Sequence, residues 1–131
     1  MEAKTFSKNE VIFEKGAPGD CMYEVDFGKV GVYSNYGTPE QKLLMEFFPD
    51  QYFGEMGLLD HAPRSATAVA LEDGTRLTPV TEEGFDAYFK ENPLRVLMVV
   101  QQLSHNLRKR TNEYIEVCGK VKELTEKEAQ A

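Results

Sequence analysis

Tryptophan is absent from this chain of 131 residues, and cysteine and histidine occur only twice each. Long apolar runs are missing too, so no segment reads as a membrane-crossing helix, and the N-terminal MEAKTFSKNE lacks the basic-then-apolar order of an export signal. Cys21 and Cys118 lie far apart in the sequence and read as reduced thiols in a cytoplasmic protein. His61 and His105 stand in no ligand spacing with Cys, Asp or Glu, so neither a metal site nor a resident cofactor is expected. Positive charge is short as well. With 15 Lys and Arg against 22 Asp and Glu, the net charge of −7 repels nucleic acid and anionic membranes from the chain as a whole.

What is present suits one folded domain spanning residues 1–131, because 41% hydrophobic and 11% aromatic residues supply a core. Between about Val11 and Val80 the sequence breaks into short period-two runs separated by Gly, Pro, Asn and Asp, the pattern of an antiparallel sheet. In Tyr23-Glu24-Val25-Asp26-Phe27 the apolar side chains face one way and the acids the other. Gly28-Lys29 turns the chain into Val30–Tyr33, and Asn35–Pro39 turns it into Lys42–Phe48. Further strands run over Arg64–Leu71 and Thr75–Val80. Six to eight such strands predict a mainly β fold with α elements, an antiparallel β-roll or double-stranded jelly roll flanked by helices.

After Val80 the period changes. Thr81 reads as an N-cap, Glu82 and Glu83 suit a first helical turn, and Phe85, Tyr88 and Phe89 mark an apolar face, which predicts a helix over about 81–92. Asn92-Pro93 then caps and opens a second helix. From there Leu97, Val100, Leu103, Leu107, Tyr114, Val117, Cys118, Val121 and Leu124 recur at three- and four-residue steps, a stripe that continues to about residue 126. A helix of that length, on the order of 45 Å at ~1.5 Å per residue, is longer than a small domain is wide. Part of its stripe needs a partner, and the same helix of a second copy supplies one, so a homodimer is expected. Arg108-Lys109-Arg110 reads as a solvated face.

Phe53 to Ala70, FGEMGLLDHAPRSATAVA, sets one glutamate and one arginine on either side of a short apolar bend. Gly54 lets backbone approach a ligand closely, and Glu55–Leu59 can form about a turn and a half of helix whose free N–H groups favour an anion. Arg64, as the first residue of the next strand, shares a face with Ala66 and Ala68 and so has room around it. Its guanidinium fork suits phosphate oxygens, while Glu55 can accept hydrogen bonds from sugar hydroxyls. A phosphate next to a ribose would engage both. The competing reading is a structural ion pair between Glu55 and Arg64.

Gly54-Glu55, Gly57, Leu58-Leu59, Pro63-Arg64, Ser65-Ala66 and Thr67 resemble the phosphate-binding cassette of the cyclic nucleotide-binding domain family. Gly16–Tyr23 with Gly28-Lys29-Val30 is similar to that family's first hairpin, and Phe85–Pro93 with the long helix resembles its C-terminal helices. The resemblance covers about Val11 to Leu107. It implies that Glu55 binds the ribose 2'-hydroxyl and Arg64 the exocyclic phosphate oxygens of cAMP or cGMP, with Gly54, Met56 and Ser65 adding backbone or hydroxyl hydrogen bonds. By register from Pro93 it also implies that Arg110 and Thr111 reach the base, partly from the other subunit.

Ser65 leaves the choice of base open, and the lean to cAMP rests on how often bacterial members bind it. Bacterial relatives that regulate transcription continue into a helix-turn-helix, whereas this chain ends at Ala131, so direct DNA binding is not expected. The signal would pass to an unknown effector protein or through the dimer. Catalysis is not expected either: cupin-type metal enzymes need clustered histidines, and no Ser-His-Asp or Cys-His arrangement is present. The alternatives are a non-enzymatic scaffold of the same fold with an empty or repurposed pocket, or a ligand-sensing partner of a separately encoded transcription regulator.

Overall fold

A computed structural model describes residues 2–130, leaving aside the side chains at positions 56, 59, 60, 129 and 130. By contacts the chain divides after Val96 into a β-rich unit and a helical unit, and each is described by itself. The elements of the first are β1 (Lys4–Phe6), β2 (Val11–Phe13), β3 (Cys21–Phe27), β4 (Val30–Ser34), β5 (Lys42–Phe47), β6 (Tyr52–Phe53), α1 (Glu55–Asp60), β7 (Thr67–Ala70), β8 (Thr75–Thr81) and α2 (Phe85–Glu91). Helix α3 (Pro93–Gln130) begins there and makes up the helical unit.

Two antiparallel four-stranded sheets, in the orders β1-β8-β3-β6 and β2-β7-β4-β5, form the predicted roll. Side chains from both meet in one core: Tyr23 and Val25 of β3, Val30 of β4, Phe53 of β6, Ala68 of β7 and Leu77 of β8. The ring of Phe53 lies 5.3 Å from that of Tyr23 and 5.5 Å from that of Phe47, so aromatic stacking joins the sheets at the level of the later bend.

The structure departs from the expected pattern at several places. Strand β1, too short to show a period, pairs with Thr75–Leu77 of β8. In β3 a bulge between Val25 and Phe27 shifts the register against β8, so Phe27 leaves the inward set and is 59% exposed. Glu24, expected to face solvent, is 5% exposed beneath α2. The helix expected over about 81–92 starts at Phe85, because Thr81 is still paired with Cys21 and its hydroxyl accepts the Gly84 N–H at 3.1 Å, which spends residues 82–84 on a turn. At the other end α2 closes on Asn92, whose side-chain amide donates to the Tyr88 carbonyl at 2.9 Å, and α3 opens at Pro93. It continues to Gln130, past the expected end near 126. Among the described residues no helix is long and apolar enough to cross a membrane.

The β3–β4 turn depends on Gly28, at φ +88°, where an added Cβ would lie 2.8 Å from the Cα of Thr75. Thr75 is fully buried, with its hydroxyl bonded to the Glu72 carbonyl at 2.7 Å, and cannot give way. Gly28→Ala is expected to lower stability by about 2 kcal/mol or more, since a left-handed residue with a Cβ alone costs roughly 1–2 kcal/mol. Chemical denaturation checks this; an unchanged midpoint would contradict the packing described.

Candidate functional site

Arg64 arrives at the end of the bend on a segment held by backbone bonds, its N–H donating to the Ala17 carbonyl (2.9 Å) and its carbonyl accepting the Gly16 N–H (2.7 Å). It precedes β7 rather than opening it. The side chain is 6% exposed. Its Nη1 donates to the Gly54 carbonyl at 3.0 Å and its Nη2 to the Cys21 carbonyl at 2.7 Å, while the face of Phe13 lies 4.2 Å from the guanidinium carbon. Because Arg64 lies before β7, the strand alternation that would place Ala66 and Ala68 on its face does not apply; both alanines are buried.

Glycines make the space. A Cβ on Gly54 would fall 2.7 Å from Nη1 of Arg64, and one on Gly57 would fall 2.8 Å from the same atom. Gly54 also caps α1 in the left-handed region at φ 77°, so it is required on two grounds. Gly19 packs against Gly57 backbone to backbone, since its Cβ would lie 2.7 Å from the Gly57 Cα.

The energetics of this cradle decide what it can do. Burying an arginine side chain's charge carries a penalty of several kcal/mol. Two carbonyl bonds return about 1.5–3 kcal/mol each, and an aromatic face at most about 2. The structure lacks two further elements of compensation. Among the described residues no ion pair joins Arg64 to a carboxylate, Glu55 included, and the buried Nε has no hydrogen-bond partner. A buried donor left unmade costs about 1–3 kcal/mol. Among the described residues this leaves one N–H of Arg64 unpaired and its guanidinium without a counter-ion.

The neighbours are kept neutral. Burial pushes the thiol of Cys21 above its ordinary value, and burial with the Cys21 contact pushes the Tyr23 hydroxyl up as well. Glu55 opens α1 and is half-buried; Met56 follows it in the helix, its side chain outside the description; Ser65 is exposed beside Arg64. These residues and Gly54 belong to the β-rich unit. Arg110 and Thr111 belong to the helical unit, both exposed, with the Thr111 hydroxyl donating to the Leu107 carbonyl at 2.8 Å. Sequence reasoning missed Phe13, Gly19 and the Cys21 carbonyl. A backbone acceptor leaves no trace in residue type, and Gly19 gave only the weak signal of its Pro-Gly-Asp run.

Fold and site define a β-roll that presents a buried arginine in a glycine-lined cradle. The family profile described as cyclic nucleotide-binding domain matches residues 3–92, and the chain belongs to that family. The chain is 32% identical over 108 residues to the Cyclic AMP receptor protein of Thermus thermophilus, covering 82% of this chain and 50% of that protein. It therefore spans about half the length of that curated relative. The crystal structure of the Thermus thermophilus Catabolite Activator Protein superposes with a TM-score of 0.71 at 32% identity, over 86% of this chain and 52% of that one. The EAL enzyme Bd1971 in its cAMP-bound form superposes with a TM-score of 0.59 at 31% identity, over 85% of this chain and 30% of that one.

Gly57 offers a test of the cradle in which two effects oppose each other. Helix propensity alone would make Gly57→Ala stabilising by about 1 kcal/mol. Contact with Nη1 of Arg64 and with Gly19 is expected to reverse the sign, so thermal unfolding should occur at a lower temperature than in the parent. A stabilised Gly57→Ala protein would contradict the geometry.

Proposed function

We propose that this domain binds a cyclic mononucleotide, cAMP in preference to cGMP, and reports its occupancy through α3. One observation carries the reading: a buried guanidinium that has no carboxylate partner among the described residues and whose Nε makes no hydrogen bond there. In this reading Nε and an Nη of Arg64 take two phosphate oxygens as a fork, Glu55 accepts from the ribose 2'-hydroxyl, and Gly54, Met56 and Ser65 add backbone or hydroxyl bonds. The absence of an Arg64–Glu55 pair among the described residues favours this over the structural ion pair, because each residue then remains available to a different part of the ligand. The preference for cAMP is supported by the cyclic AMP receptor relative alone, since Ser65 does not discriminate between the bases and the EAL enzyme is solved with either nucleotide.

The helical unit supports a homodimer. Val100, Leu107, Tyr114 and Val121 recur every seven residues, with Leu103, Arg110, Val117 and Leu124 three positions after each. That is the a/d register of a two-stranded coiled coil. Leu107, Tyr114, Val117, Val121 and Leu124 are all exposed within one chain. Arg110 is the one charged residue of the set, and with Thr111 beside it we assign these two to the base, partly across the dimer. A ligand that binds one arrangement of α3 more tightly populates it, and an effector protein then reads the difference. The domain acts by binding rather than by catalysis, in the cytoplasm.

Titration calorimetry with cAMP and cGMP tests the reading. The parent protein is expected to bind cAMP, and Arg64→Ala to weaken it by about 100-fold or more, the loss of a charged bidentate contact. Thermal unfolding checks that the variant is folded. Heat from neither nucleotide would leave the scaffold with an empty or repurposed pocket as the better description.

A further inference from the structure

Away from the cradle the β-rich unit buries a second polar group that nucleotide binding does not use. Glu24 on β3, Tyr52 on β6 and Tyr88 on α2 are 5%, 1% and 8% exposed. One carboxylate oxygen of Glu24 accepts the Tyr88 hydroxyl, and the other accepts Nη1 of Arg95 in the first turn of α3. The Tyr52 and Tyr88 hydroxyls lie 3.1 Å apart, and Asp50 stands 3.6 Å from Arg95. Burial together with the Glu24 bond holds the Tyr88 hydroxyl protonated well above the ordinary tyrosine range, so it is the donor. Both groups bonded to Glu24 thus come from α2 and the start of α3. If that junction moved away, a buried carboxylate would lose its cation and a hydrogen bond together.

The strands that carry this group are the strands that carry the cradle. Glu24 pairs with Tyr52 and Tyr23 with Phe53 across β3 and β6. The Cys21 carbonyl that holds Nη2 of Arg64 lies three residues before Glu24, and the Gly54 carbonyl that holds Nη1 follows Tyr52 by two. Resting on the cyclic-nucleotide reading of Arg64, we propose that Glu24 is a positioning residue for that site. By clamping Tyr88 and Arg95 it ties the α2–α3 junction to the β3–β6 pair, so that the arrangement of the junction and occupancy of the cradle are linked. Linkage of this kind is reciprocal: whatever loosens the junction weakens the ligand, and the ligand tightens the junction by the same factor.

Glu24→Gln keeps the shape and removes the charge, and Tyr88→Phe removes a single hydroxyl should the first variant fail to fold. Amide hydrogen exchange is read at Asn92, whose N–H closes α2 on the Tyr88 carbonyl at 3.0 Å. Either variant is expected to speed that exchange about tenfold without nucleotide and to weaken cAMP about tenfold, with saturating cAMP restoring protection. Faster exchange with unaltered affinity, or no change in either, overturns the proposal. If the parent binds neither nucleotide, that reading fails by itself, and the linkage is tested by Arg64→Ala: Asn92 exchange should change, and an unchanged rate overturns it.

Discussion

A cation buried without a counter-ion among the described residues is the constraint around which this domain is built. Two carbonyls, from Cys21 at the start of β3 and from Gly54 between β6 and α1, and the face of Phe13 hold the Arg64 guanidinium in place, but none of them carries the opposite charge. The glycines follow from that constraint. Gly54 and Gly57 lack side chains because Nη1 occupies the places where their Cβ atoms would be, and Gly19 lacks one because α1 must pack close enough to close the cradle. A buried charge without a counter-ion among the described residues gains from an anion shaped to fit, and there binding free energy can be larger than contact area alone suggests.

Much of this was legible in the sequence, though not for every reason first given. The period-two runs and their Gly and Pro punctuation read out the two sheets, because alternation is what one buried face imposes on a strand. The Gly54–Thr67 run pointed to the bend and to Arg64. The assignment of space to Ala66 and Ala68 lost its premise, since it took Arg64 to open a regular strand while the structure begins β7 at Thr67. Phe27 and Glu24 were misplaced for physical reasons that a binary pattern cannot encode: a bulge reverses the face of the residue that follows it, and a second layer, here α2, buries the outward face of a strand. Thr81 has the residue type of a helix cap, but its pairing with Cys21 keeps it in the sheet.

The polar cluster at Glu24 has the opposite electrostatic character to the cradle. There the Glu24 carboxylate is paired with Arg95 and bonded by Tyr88 in a network that spans β3, β6, α2 and α3, whereas among the described residues Arg64 has no carboxylate partner. One arrangement is suited to holding a helix junction in register and the other to receiving a ligand. Both hang on β3, and α3 continues from the junction into a stripe of exposed apolar residues that a second copy would cover. Chain continuity from Arg95 into that stripe gives the proposed signal a route that needs no further element.

On the proposed reading, the Nε of Arg64, which has no hydrogen-bond partner among the described residues, donates to the phosphate. Nitrogen-15 NMR of the Arg64 side chain, recorded with cAMP and with adenosine at equal concentration, tests it most directly. The Nε–H resonance is expected to move downfield and its exchange with water to slow on adding cAMP, with no such change from adenosine, which lacks the phosphate. A protein that binds cAMP while the Arg64 Nε–H signal stays where it was would contradict the account.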